Sequence, residues 1–479
     1  MMANSDLDIM YIVDEEAGGT TGPDGPTSGC AVILEGSSIG WSEQRLSRLT
    51  VRLSGRQPLG YPAYKGRRRM TQPRAQLEVG SGPEYDSNGS SVLTRLLSRN
   101  FKSLRSLDLP LGPLNVLVGP NMGGKSNLLD ALRFLYESWF PQAGTYGPVN
   151  ALVRRGGIDE VLWKGGPDRL LSVGVEFTDP ARPDRSFKYG IELVGGPSGY
   201  VNIQAEQLVL VEGEQQYPLI TRESEGRWLV NANGQHLVSV SPERSAMELA
   251  PQNWEGYPLK WSAQNWRSYN LVPSRMKQLN PVTAGGVLEP QGENLSAWLM
   301  WLQTRAPETF NRIAEVARDV FPDIRRLLTW PTQQGTVYLA SEEQALARPT
   351  PLVQMSDGEL AFIAFLSLIC APDDLGGTLF LVEEPENHLH PRLLETLVAL
   401  LRQVQEEVSD RNVPPSQIVL TTHSPYLLDQ MNLDEILWIE KKHGETVVVR
   451  PSDKTHLRKL VEDKDLGLGD LMLTGALGE

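Results

Sequence analysis

Apolar positions follow two rhythms along this chain. Residues 92–99 (VLTRLLSR) and 104–109 predict two short strands, and LNVLV at 114–118 is a compact apolar run that predicts a buried one. A glycine-bearing turn and a helical pattern follow it. From 170 to 240, apolar and polar residues alternate between Gly, Pro and Asp turns, as in an antiparallel meander. Residues 241–290 have no clear period and are rich in Trp, Pro and Asn. Helical patterns return at 294–304 and 308–320, the second with Pro307 near its start. From Leu352 onward helices and strands alternate: a helix over 357–370, a strand over 378–382, a helix over 391–408 and a strand over 417–421. That alternation implies a mainly parallel sheet with helices packed on it, so the predicted fold class is α/β. No repeat with a period of roughly 20–50 residues is present.

Residues 1–91 do not fit either rhythm. Up to Gln44 there are eight acids and no Lys or Arg; from Arg45 to Arg74 there are nine bases and no acid. An acidic block and then a basic block, punctuated by Gly, Pro and Ser, predict a low-complexity, flexible extension. The basic part, with Tyr61 and Tyr64 nearby, offers a patch for nucleic acid. The plainer readings are a disordered tail, or a start of translation near Met70.

Composition narrows the class. At about 150 residues per domain, the length gives about three domain-equivalents or one elaborated α/β domain. The formal charge is 45 − 59 = −14 and the pI is near 5.1, which excludes a protein coated in basic surface. Two cysteines, Cys30 and Cys370, exclude a disulfide scaffold and a multi-cysteine zinc site, and suit a reducing compartment. The apolar run Leu360 to Cys370 is shorter than the about 20 residues a membrane span needs, so no membrane insertion is expected. With acids where a secretory signal carries bases, the expected location is cytoplasmic.

Four segments carry candidate chemistry. GPNMGGKS at 119–126 has glycines where backbone N–H groups must wrap a polyphosphate, at the start of a helix whose positive end faces it. Gly119, Pro120, Asn121, Met122, Gly123, Gly124, Lys125, Ser126 and Asn127 are the candidate nucleotide-binding residues. Lys125 would reach the β- and γ-phosphates and Ser126 would offer its hydroxyl to Mg²⁺. TLFLVEEPE at 378–386 is an apolar strand ending in two carboxylates, whose side chains alternate to different sides. Glu383 would orient water on Mg²⁺; Glu384 would polarise the attacking water. MSDGE at 355–359 opens an apolar helix, where Ser356 and Asp357 read as N-cap candidates or as part of an anion site. His423 directly follows another apolar strand in IVLTTHSPYLL; alone, such a histidine is more often structural.

Together these segments resemble the SMC/RecF-like branch of the ABC-type P-loop ATPases, the AAA-type predicted ATPases. GPNMGGKS is similar to the Walker A loop and MSDGE to the signature motif. LFLVEEPENHLHP resembles Walker B with its D-loop, and TTHSP the switch histidine. SRNFKSLRSLDLPLGPLNVLVGPN resembles the family's first strands. WRSYNLVPSRMK at 266–277 with QGENLSAWL, and the terminal GLGDLMLTGALGE, are similar to other family segments. The likeness covers about residue 92 onward. Met122 stands where the family commonly has a small residue, and Glu383 replaces the usual Asp. No glutamine is placed as the Q-loop residue, and no coiled-coil insertion is present. The chain ends soon after the pattern, so a fused nuclease domain, as in the overcoming-lysogenization-defect relatives, is not expected.

The resemblance implies a P-loop NTPase, an ABC-ATPase-like head with a mainly parallel core sheet, an antiparallel β meander and a helical lobe. The expected organisation is an extension over 1–91 and a head over 92–479. Within the head, 92–240 would carry Walker A and the meander, 241–350 a linker and helical segment, and 351–479 the signature, Walker B and the histidine. It implies ATP and Mg²⁺ as ligands. It also implies a homodimer formed on ATP binding, with Ser356 and Gly358 completing the opposite chain's site. His423 would face the γ-phosphate, and Glu386 and Asn387 would cross the interface. The expected function is ATP hydrolysis driving head pairing in DNA maintenance, repair or genome defence, with DNA or an effector protein as partner. A slow nucleotide-gated regulator of a separate effector is the alternative; an ATP-binding subunit of a membrane transporter is the weakest reading.

Overall fold

A computed structural model describes residues 92–478, apart from 180–181, 197–200, 224–225, 372–377, 410–415 and 463–466. The extension expected over 1–91 lies outside the described residues. The central sheet has the strand order Trp266–Tyr269, Leu379–Glu383, Gln417–Thr422, Leu114–Val118, Ile436–Lys442, Glu445–Val449. The first five are parallel, and the last closes an antiparallel hairpin with the fifth. Leu114–Val118 and Gln417–Thr422 are buried at every position, as parallel strands covered on both faces must be.

Two apolar cores lie on the two faces of this sheet. Alternation along the strands divides the side chains between them: Leu117, Leu381, Val419 and Leu437 enter the first core, while Val116, Val118, Leu420 and Ile436 enter the second. The first core is closed by the helix Lys125–Trp139 and by the meander. The meander is a six-stranded sheet in the order Leu104–Pro110, Val92–Phe101, Leu170–Thr178, Arg185–Gly195, Val201–Glu212, Gln215–Pro218. A three-stranded sheet of His236–Val240, Gly226–Val230 and Ile220–Glu223 joins it. A buried charge pair ties these sheets to the following turn. Glu206 accepts hydrogen bonds from Tyr189 (2.9 Å), Ser245 (2.6 Å), the Ala246 amide (2.9 Å) and Arg227 (2.5 Å). Such a pair persists inside a core only when its lone pairs and protons are used in this way.

The second core is closed by Leu295–Arg305, Pro307–Val320, Asp357–Ile369 and Pro391–Ser409. The stretch read as linker and helical segment carries more than helices. A four-stranded sheet joins Asn280–Pro281, Ile324–Pro331, Thr336–Glu343 and Thr350–Pro351, and Trp266–Tyr269 becomes the edge strand of the central sheet.

Candidate nucleotide site

The strand Leu114–Val118 runs out into the glycine loop, and packing as well as turn geometry demands glycine there. Gly119 has φ +148°, and a Cβ on it would lie 1.9 Å from the Ile439 carbonyl oxygen. Gly124 has φ +110°, and its Cβ would lie 1.9 Å from the Thr446 hydroxyl. Met122 takes a left-handed φ of 65° without glycine's freedom, a cost of roughly 1–2 kcal/mol. The residue is 86% exposed, so no steric reason for the conformation lies in the surrounding packing. The helix then opens at Lys125 with no side-chain cap and no acid in its first turn, leaving the amide end of its dipole for an anion. Pro120, Asn121 and Ser126 are exposed on the same rim.

Lys125 is buried and donates to the carbonyls of Gly119 (2.8 Å) and Pro120 (3.1 Å). Burial lowers its pKa, and the charges of Glu384 and Glu386 oppose that shift. A directional chain of hydrogen bonds props the loop from behind. The Asn127 amide donates to the Ser103 hydroxyl at 2.6 Å, Ser103 and Thr446 hydroxyls meet at 2.6 Å, and Thr446 donates to the Gly123 carbonyl at 2.9 Å.

Strand register gathers the rest. Val118, the last residue before the loop, lies beside Thr422, and Thr421 lies beside Glu383. The loop, the acidic pair and the histidine therefore leave three neighbouring parallel strands at the same carboxyl edge, where α/β sheets bind ligands. Glu384 has a left-handed φ of 43°, and its amide is held by the Thr421 carbonyl at 3.0 Å. Its carboxylate accepts from Asn387 Nδ2 at 3.0 Å and stands 3.5 Å from His423 Nε2. Burial first, then Lys125, lowers the His423 pKa against the pull of Glu384 and Glu386, which favours the uncharged imidazole.

Other side chains of the expected site meet partners within this chain. Glu383 Oε1 meets Arg133 at 2.5 Å, and the same guanidinium donates to Ser268 Oγ at 2.7 Å. Asn387 turns to Glu384 within its own chain, and Glu386 accepts from Thr422 Oγ1 (2.8 Å) and the His423 amide (2.6 Å). Ser356 caps the helix Asp357–Ile369 in a reciprocal box with Glu359, while Asp357 pairs with Lys277 at 2.8 Å. A Cβ on Gly358 would sit 3.1 Å from the His388 carbonyl, so the signature end packs against the loop after the acidic strand. Among the described residues no hydrogen bond or ion pair joins Ser356 or Gly358 to the phosphate loop of the same chain. Arg133, Ser268, Ser103 and Thr446 carry no motif signal, because each acts on a partner far away in sequence.

Fold and site together define a P-loop, ABC-ATPase-like α/β fold. Residues 114–429 match the family described as "AAA domain, putative AbiEii toxin, Type IV TA system", and the chain belongs to it. A 55-residue segment is 40% identical to an OLD nuclease of Thermus scotoductus (strain ATCC 700910 / SA-01), covering 12% of this chain; the match spans only 10% of that relative's length. Among solved structures, an SMC head bound to the C-winged helix domain of ScpA aligns with 74% of this chain and 97% of its own, at 16% identity and TM-score 0.47. The SMC head domain from Thermotoga maritima aligns with 75% of this chain and 98% of its own, at 13% identity and TM-score 0.39. Among the described residues no helix is long and apolar enough to cross a membrane.

Proposed function

We propose that this chain binds ATP with Mg²⁺ at the phosphate loop, hydrolyses it, and uses the nucleotide to pair two heads in DNA maintenance or genome defence. The observation that carries the reading is the convergence of Lys125, the Glu383–Glu384 pair and His423 at one edge of three adjacent parallel strands. The loop amides and Lys125 would hold the β- and γ-phosphates. Ser126 and Glu383 would hold Mg²⁺. That donor set suits the ion, which keeps waters and phosphate oxygens rather than an all-protein cage, and no group of three or more His, Cys, Asp or Glu ligands occurs among the described residues. Mg²⁺ supplies neutralisation of phosphate charge.

Glu384 would align the water that attacks the γ-phosphorus and take its proton as the bond to ADP breaks. His423, whose Nε2 stands 3.5 Å from the Glu384 carboxylate, offers a hydrogen-bonding nitrogen beside it. Ser356 and Gly358 would act on the opposite chain. The toxin in the family description and the nuclease name of the 55-residue relative both support a genome-defence setting. The slow-regulator alternative is favoured by the Lys125 contacts to its own loop and by the Arg133–Glu383 pair, which Mg·ATP would have to displace.

The test is Glu384→Gln, measured for hydrolysis, ATP binding and size with and without Mg·ATP. The expected result is a loss of roughly 10²–10⁴-fold in rate, retained ATP binding and a shift to dimer. Hydrolysis at the wild-type rate refutes the base assignment. A variant that traps ATP yet stays monomeric refutes pairing alone. The wild-type steady-state rate separates the driving ATPase from the slow regulator.

A further inference from the structure

We propose that Glu386 is a positioning residue that acts within its own chain, fixing the main chain at His423 and so setting where the imidazole stands. The proposal rests on the reading of His423 as part of the hydrolytic site, and assigns Glu386 a different task from crossing to a second head.

Glu386 lies in the loop after the acidic strand, opposite the end of the strand Gln417–Thr422. One oxygen, Oε1, receives both the His423 N–H at 2.6 Å and the Thr422 hydroxyl at 2.8 Å. Short bonds to a carboxylate are the strong class of hydrogen bond, and two on one oxygen fix the direction of the backbone as well as its distance. They fall on the residue where the strand ends and the chain turns, so the His423 Cα–Cβ bond inherits its direction from them.

The second oxygen argues against an outward role. Glu386 Oε2 is buried and has no hydrogen-bond partner. A carboxylate meant to reach a partner would present that oxygen to solvent. Burying it unpaired costs free energy, and such a group calls for an explanation beyond stability. Placement of His423 supplies one. The charged groups facing the imidazole are Lys125, Glu384 and Glu386, and the last two oppose the lowering of its pKa by burial and by Lys125. Asn387, the next residue, is occupied in the same way: its amide holds Glu384. Consecutive residues of one loop thus hold the two groups that face each other across 3.5 Å.

The experiment begins with the nucleotide-free full chain labelled with ¹⁵N only at its six histidines. The His423 amide resonance is identified by its disappearance in His423→Ala. It is expected far downfield, preserved in Glu386→Gln, which keeps the accepting oxygen, and moved upfield in Glu386→Ala. Thr422→Val, which leaves the amide bond in place, keeps it downfield. An amide resonance unmoved by Glu386→Ala overturns the proposal. In turnover, Glu386→Ala should lower kcat by about 10- to 100-fold, the scale of a small misplacement of a reacting group, without weakening ATP binding. Glu386→Gln should restore it. In the His423→Ala background, Glu386→Ala should cost nothing further; an additional loss there would mean that Glu386 acts elsewhere and would overturn the proposal. If His423→Ala alone hydrolyses at the wild-type rate, the role of His423 in hydrolysis fails, and the amide resonance still decides whether Glu386 places it.

Discussion

Lys260, on the helix Tyr257–Gln264, carries its ammonium into a buried position 2.8 Å from the Glu248 carbonyl and 6.0 Å from the centre of the Phe140 ring. Burial lowers its pKa from 10.5 to about 8, with the Glu248 charge opposing. In the unfolded chain the lysine keeps its ordinary value. Between pH 8 and 10.5 the unfolded state therefore binds more protons, and stability due to this group rises with pH across that window. Below it the full cost of the buried charge remains. Lys260→Met should abolish that slope, so that the difference in unfolding free energy between variant and wild type changes by up to about 3 kcal/mol between pH 7.5 and 10.5. Denaturant titrations over the window check it, and parallel curves would show that Lys260 does not carry the charge cost. Lys260 was invisible as a special residue in the sequence. The loop glycines, Lys125 and the carboxylates were legible because their chemistry is written in consecutive residues. Arg133 was not: it reads as an ordinary polar helix position, and its partner Glu383 lies 250 residues away. Nothing in the packing explains why Met122 takes a positive φ.

At the scale of elements, the phosphate loop depends on the hairpin Ile436–Lys442 and Glu445–Val449 for its shape. Two glycines separate turn strain from crowding. Gly144 has φ +82° and open space around its missing Cβ, whereas Gly119 faces the Ile439 carbonyl. Gly144→Ala should cost about 1–2 kcal/mol from backbone strain alone. Gly119→Ala should cost more and remove nucleotide binding. Thermal melts and calorimetry compare the pair, and equal losses would refute the role assigned to the hairpin. Helices at 294–304, 308–320 and 357–370 were legible within a residue or two, since their apolar faces and Pro or Ser starts are local signals. The edge strand Trp266–Tyr269 was not, because four residues are too few to show a period and their extended form comes from pairing with Leu379–Val382. The hairpin has a local cue in its His-Gly pair: His443 and Gly444 take φ values of 50° and 85°, the two-residue turn that favours a glycine.

Over the whole molecule, charge limits what nucleic acid contact can be. With a net −14, only local patches such as Arg45–Arg74 are available to neutralise phosphates. If the chain binds duplex DNA, that binding should fall steeply with added salt and should weaken when the chain begins at Asn88, while the melting temperature and ATP binding stay as in the full chain. Filter binding across a salt series, with melts of both forms, checks this. Duplex binding that survives several hundred millimolar salt, or a collapsed melt, would overturn it. The α/β plan with its parallel sheet was readable because strands and helices alternate from Leu352 onward. The strand order was not, since neighbours in this sheet are set by packing between distant segments.

That order also has a meaning in time. The phosphate-loop strand sits between Gln417–Thr422 and Ile436–Lys442, and the hydroxyl that holds the Gly123 carbonyl arrives 323 residues later. A ribosome adding about 5–20 residues per second needs roughly 15–65 s to cover that distance. Through that interval the nascent polypeptide displays the motif but has not assembled its walls. A translation product stopped before Ile436 would carry every residue of GPNMGGKS and still lack a neighbour on one side of its strand. Nucleotide capture in the cell would thus select for polypeptides made past the hairpin Ile436–Lys442 and Glu445–Val449.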